Sequence, residues 1–259
     1  MVLTGGLIAA VLIFTRISAI FSMLPVFGAT NVPMQVRIGL MMVMTIVIYP
    51  IVGVGAVASI HTFWDFAYHI GIETLIGLSI SLAMNTVYNA IYLAGTIIDM
   101  EIGFSMVSVM SATDESEIPV TANFYYLLAM IVFLATDCHH QIIEGIWLCF
   151  KNVPIASGVL HLQIVDLMNV IIVQSFVIGV KIAAPFILTL LIADIIMGLL
   201  SKAMPGFNIF MVGMPIKILV GLILIFLLIP YTIGIVKFLN DLMIQYMKEI
   251  IGFYHGSGI

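Results

Sequence analysis

The chain has 259 residues, of which 63% are apolar and 8% formally charged, with a net charge of −5 and a mean hydropathy of +1.27. A soluble domain needs far more charge to cover its outside, and an acidic balance leaves no electrostatic footprint for nucleic acid. An integral membrane protein remains. Open sheet edges are not tolerated in hydrocarbon, so the expected fold is all-α: about six long, kinked apolar helices or helical hairpins.

The first apolar stretch, 2–29, lacks a basic leader and carries Arg16 where the core of a secretory signal would run, so it reads as a retained helix rather than a cleaved peptide. Pro25, Gly28, Asn31 and Pro33 separate it from 38–60, which is free of formal charge. After 61–65 comes 66–98, with Glu73 inside it. As a straight helix this stretch is about 50 Å long against roughly 30 Å of hydrocarbon, so it must tilt, break or leave the membrane inside a protein complex. Residues 99–117 are markedly acidic, and 118–150 carries Asp137 and Glu144. Cys138 and Cys149 fall on that stretch about 16 Å apart along a helix axis, beyond disulfide reach, and are expected as free thiols. A connection at 151–166 leads to 167–200, again about 50 Å long and holding Lys181 and Asp194. The turn 201–208, with Pro205-Gly206, leads to 209–236 with Lys217. Pro50, Pro185, Pro215 and Pro230 lie inside apolar stretches and predict kinks. The tail 237–259 reads as an amphipathic helix, lying on lipid or docking a neighbouring subunit.

Charges inside apolar stretches are the most informative feature. A charge at bilayer depth is unfavourable by at least roughly 2.5–3.5 kcal/mol, so Arg16, Glu73, Asp137, Glu144, Lys181, Asp194 and Lys217 are expected buried, in helix pairing or subunit contact. Asp194 and Lys217 lie equally far from Pro205-Gly206 on either side, hence at equal depth in an antiparallel hairpin, and are predicted to pair. Lys181 points about 140° away from Asp194 on the same helix. Its open choices are an acid of another subunit, snorkelling, or another acid of this chain.

Asp137, His140 and Glu144 share one helical face, with Gln141 alongside. A carboxylate-bridged metal centre would need further Glu and Glu-x-x-His ligands on facing helices. The stripe therefore reads as a polar helix–helix contact, and no metal or cofactor is expected. There is no G-x-S-x-G, H-E-x-x-H, Walker A loop or G-x-G-x-x-G, so no catalytic residue is assigned and the chain does not read as an enzyme.

The segment after 102 begins apolar and too short to span, with Gly103, Phe104, Met106, Val107, Val109 and Met110, and continues acidic through Asp114, Glu115 and Glu117 to Pro119. Flexible thioethers can reshape a seal around differing contacts, and irregular backbone is tolerated at membrane depth where it lines a pore. A gate or plug is the sharp reading. On composition alone an ordinary surface loop is favoured, since most connections are only that.

Read together, these residues resemble the FliR family of the flagellar protein-export gate, whose injectisome counterpart is the T-type subunit. The likeness runs through Arg16, Pro25-Val26-Phe27-Gly28, Val36-Arg37-Ile38-Gly39-Leu40, Ala94-Gly95, Ile98-Asp99 and Gly103-Phe104. It continues with Val132-Phe133-Leu134-Ala135, His139-His140, Lys181, Ala184-Pro185, Asp194, Pro205, Asn208-Ile209-Phe210 and Pro215-Ile216-Lys217-Ile218. The chain departs from the family's usual Asp-Pro loop at Ala112-Thr113-Asp114-Glu115-Ser116.

The resemblance implies a core subunit of a bacterial type III export gate in the inner (plasma) membrane, at the flagellar basal body. It implies a P-subunit-like part at 1–160, a Q-subunit-like hairpin at 161–240 and an amphipathic tail at 241–259. Implied partners are P-type and Q-type gate subunits in a helical cone largely raised from the bilayer, the B-type switch subunit, exported unfolded proteins and membrane lipid. It also turns the reading of the segment after Gly103 from connection to channel plug. The competing readings are an injectisome T-type subunit and a secondary transporter, against which the missing internal repeat argues.

Overall fold

The structure, a computed structural model, describes residues 2–25, 33–52, 62–104, 119–158, 163–204 and 209–255. They form α1 (Val2–Met23), α2 (Met34–Val52), α3 (Phe63–Ile102), α4 (Val120–Ala135), α5 (Cys138–Asn152), α6 (Gln163–Ala203) and α7 (Ile209–Tyr254). No strand occurs among the described residues. The helices α1, α2, α3, α6 and α7 are each long and apolar enough to cross a bilayer, and α4 with α5 would make one more span. The fold is that of an all-α membrane protein, as composition predicts.

With no water at membrane depth, polar groups must be satisfied within the protein. Several hydroxyls do so along their own helices. Thr15 donates to the Val11 carbonyl at 2.8 Å, Thr45 to Met41 at 2.7 Å, Thr189 to Pro185 at 2.8 Å and Thr232 to Leu228 at 3.0 Å. The helices α2, α6 and α7 run through Pro50, Pro185, and Pro215 with Pro230.

One expectation needs correction. The stretch 118–150 is not one helix: it is interrupted at Thr136–Asp137, where Asp137 adopts a left-handed conformation (φ 53°, ψ 25°). Aspartate tolerates this region better than most side chains. The tail is the amphipathic helix its pattern predicts, with Leu239, Met243, Tyr246 and Ile250 buried and Lys237, Asp241, Gln245 and Lys248 exposed, and it continues α7 without a break to Tyr254.

The chain forms two compact units, each assembled from distant segments. One comprises Met1–Val87, Asp137–Ile172 and Asn240–Ile259. Its core is built from Leu12, Ile13, Ile17 and Ile20 of α1, Ile76 and Ile80 of α3, Ile142 and Ile146 of α5, and Met243, Met247 and Ile250 of α7, all fully buried or nearly so. The helix α2 packs along α1 and touches α5. At Gly77, α1 and α3 approach so closely that a Cβ would stand 2.5 Å from the Ala19 Cβ and 2.6 Å from the Arg16 carbonyl.

The other unit comprises Tyr88–Thr136 and Val173–Leu239. Its core joins Ile91, Ala94 and Ile98 of α3, Tyr125, Ala129 and Phe133 of α4, Ala183, Phe186 and Leu190 of α6, and Val236 and Leu239 of α7. Aromatic edges lock it: Tyr88 meets Phe133 and Tyr125 meets Phe186, with centroids 5.9 Å and 6.5 Å apart. Gly95 lies against the backbone of Ala122, which lets α3 and α4 touch.

Candidate functional site

The first unit holds a buried ion-pair network. Arg16 Nε donates to Glu73 Oε2 at 2.5 Å, and neither side chain is exposed. The guanidinium lies over the Phe150 ring, 4.7 Å from its centroid, and its Nη1 donates to the Val153 carbonyl at 2.7 Å. Nη2 reaches the Pro154 carbonyl at 3.5 Å, and the Cys149 sulfur accepts from Nη1 at 3.8 Å. The second oxygen of Glu73 accepts the Ala156 N–H at 3.0 Å. Ala156 has φ 60°, a region costly for a residue with a Cβ. The pair therefore ties α1 and α3 together and holds the turn after α5 in a conformation it would not choose alone. Arg's planar fork and fixed charge suit such multidentate burial better than Lys would.

The second unit contains the base of the expected gate segment. The helix α4 begins after Pro119, which supplies no side-chain cap. Its buried first-turn donors are satisfied from another helix: Asp99 of α3 accepts Thr121 N–H at 2.9 Å and 3.0 Å and Ala122 N–H at 3.3 Å. Asp99 is buried, and a carboxylate at a helix N-terminus is favoured by both hydrogen bonding and the helix dipole. The Asp99 carbonyl accepts the Gly103 N–H at 3.1 Å, and Gly103 turns the chain with φ 95°, a conformation suited to glycine. Asp99 thus holds both the exit from α3 and the entry to α4. Gly103 and Phe104 lie at this base, half-buried. Met106, Val107, Val109 and Met110 fall outside the described residues.

In the same unit Lys217 Nζ lies 2.7 Å from Asp194 Oδ2, the meeting that their spacing from the turn predicts. Their side chains remain 20% and 43% exposed, so this pair lies at the surface of the chain. Lys181 is exposed on α6 and makes no ion pair among the described residues. Asp137 and Glu144 are also exposed, so of their two expected roles pairing with a helix of this chain is not seen among the described residues. The interruption at Thr136–Asp137 takes Asp137 out of the helix and dissolves the straight stripe that linked it to Glu144. Instead Asp137 Oδ1 lies 3.5 Å from His140 Nδ1, and His139 stands beside both.

Sequence reasoning missed two relations. Nothing in the spacing of Arg16 and Glu73 announces their contact. The cap by Asp99 had a faint signal: an acid at the end of one helix and a following helix opened by a proline.

These features describe a polytopic helical membrane protein with a wholly buried, neutralised ion pair in one unit and a partly exposed pair in the other. Residues 7–243 match the family described as bacterial export proteins, family 1, and the chain belongs to that family. It is similar to the flagellar biosynthetic protein FliR of Bacillus subtilis (strain 168), 27% identical over 248 residues and covering 94% of each chain. The FliR of Caulobacter vibrioides is 30% identical over 218 residues, 83% of this chain and 86% of its own. That of Escherichia coli (strain K12) is 27% identical over 237 residues, 91% of this chain and 90% of its own. The resemblance drawn from individual residues and the family match agree.

Proposed function

We propose that this chain is a core membrane subunit of the flagellar type III protein-export gate, where it helps form and close the channel for unfolded flagellar proteins. The observation that carries the reading is the match to the export family over residues 7–243, joined to flagellar relatives alike along nearly their whole length. The flagellar names of those relatives favour this over an injectisome T-type role. On this reading the protein resides in the inner membrane at the basal body. Its P-like part at 1–160 and Q-like hairpin at 161–240 assemble with P- and Q-type subunits and with the B-type switch subunit.

The clamp at Asp99 supports a plug in the Gly103-to-Val120 segment, because it fixes the two ends of that segment relative to each other. Closure then rests on apolar packing of Met106, Val107, Val109 and Met110 against the channel wall. Deleting residues 105–111 is expected to leave assembly with the other gate subunits intact and to raise solute or ion leakage. Removing two or three packed apolar side chains destabilises the closed state by roughly 2–5 kcal/mol, enough to shift the open fraction tens- to thousands-fold. Conductance of the purified complex measures it. An assembled deletion complex as tight as the parent would reduce the segment to a connection.

A further inference from the structure

The start of α5 places three metal-binding side chains within four residues. The carbonyl of left-handed Asp137 accepts the His140 N–H at 3.0 Å and the Gln141 N–H at 3.4 Å, fixing a tight first turn. One potential ligand atom from each of Asp137, His139 and His140 lies within 4.8 Å of the others. The two imidazole rings lie 4.1 Å apart between centroids, tilted by 38°. A second observation comes from His139: its Nδ1 is buried and has no hydrogen-bond partner among the described residues. Buried polar atoms are seldom left this way unless water, an ion or a ligand completes them.

The geometry points to a divalent transition-metal site formed by Asp137, His139 and His140. Two imidazoles and a carboxylate suit zinc, cobalt, nickel or copper, whereas magnesium and calcium call for oxygen ligands throughout. Metal–ligand distances of about 2.0–2.1 Å set donors roughly 3.3–3.5 Å apart around a tetrahedral ion. Asp137 and His140 are 74% and 71% exposed, which leaves their side chains room to move toward half-buried His139. Three protein ligands leave a fourth position for water or for a donor from another molecule. This set differs from the one the sequence argues against: the interruption removes Glu144 and brings in His139. A bound ion braces the left-handed turn against the first turn of α5.

The test uses the full-length chain without a polyhistidine tag, purified in detergent and titrated with Co²⁺ and then Zn²⁺. The expected result is one Co²⁺ per chain with visible ligand-field absorption, displaced by Zn²⁺, and a higher thermal midpoint with Zn²⁺ bound. The double variant Asp137→Asn, His140→Gln changes two exposed side chains, so its metal-free midpoint should match the parent. It should bind at least about tenfold more weakly and lose the Zn²⁺ shift. His61, His69, His161 and His255 remain in that variant, so binding that survives undiminished lies elsewhere and overturns the assignment. Absence of stoichiometric Co²⁺ and Zn²⁺ binding by the parent chain overturns it equally.

Discussion

The two units resolve the same problem, charge among apolar helices, in opposite ways. In one, Arg16 and Glu73 are wholly buried and share their hydrogen bonds with backbone groups at 153, 154 and 156. In the other, Lys217 and Asp194 make one contact and stay partly exposed, and Lys181 stands outward without an ion partner among the described residues. The first arrangement is complete within a single chain. The second leaves work to the surroundings. The most apolar part of α7 is only 11% buried within the chain, so lipid or other subunits must cover it.

That contrast breaks most sharply at Glu73. Glu73→Gln leaves a buried guanidinium without counter-charge, and removing one member of such a pair is unfavourable by about 3–5 kcal/mol. The expected outcome is a large fall in folded yield and thermal midpoint of the isolated chain in detergent. A midpoint equal to the parent's would show that the pair adds nothing.

Packing offers a second contrast, between glycines of the two units. Gly77→Ala drives a methyl into Ala19 and the Arg16 carbonyl, and overpacking of this kind destabilises by about 1–3 kcal/mol. At Gly198 in α6 an added methyl would meet nothing within 4 Å, so Gly198→Ala should stabilise the chain by about 0.5–1 kcal/mol through helix propensity. Opposite shifts in thermal midpoint are the prediction, and shifts of the same sign would defeat it.

Asp99→Ala removes the cap of α4 and should be unfavourable by about 1–2 kcal/mol. Faster hydrogen exchange at Thr121 and Ala122 would report the loss directly, whatever the segment between the helices does. If those amides stay protected, the carboxylate is not their main anchor.

The smallest effect on the isolated chain belongs to the outer charges. Exposed pairs contribute about 0–1 kcal/mol, so Asp194→Asn and Lys181→Met should barely move its thermal midpoint. Both should reduce recovery of the gate complex in pull-downs with P- and Q-type subunits. A variant that assembles normally would return its charge to a role at the lipid interface.

The sequence by itself determined the class, most of the helices and one long-range contact. Apolar composition excludes a water-exposed domain, and the missing charge fixes the solvent as lipid or protein. The meeting of Asp194 and Lys217 was legible because a hairpin converts distance along the chain from the turn into depth. Tertiary structure alone decided the rest. Arg16 and Glu73 lie 57 residues apart on helices with no turn linking their registers, so only packing at Gly77 reveals their contact. The cap from Asp99 to Thr121 and Ala122 depends on which helix happens to pass the start of α4. The interruption at Asp137 is a single backbone conformation inside an otherwise helical pattern. Hydrophobic periodicity records which residues leave water, and it does not record the one residue where the backbone changes hand.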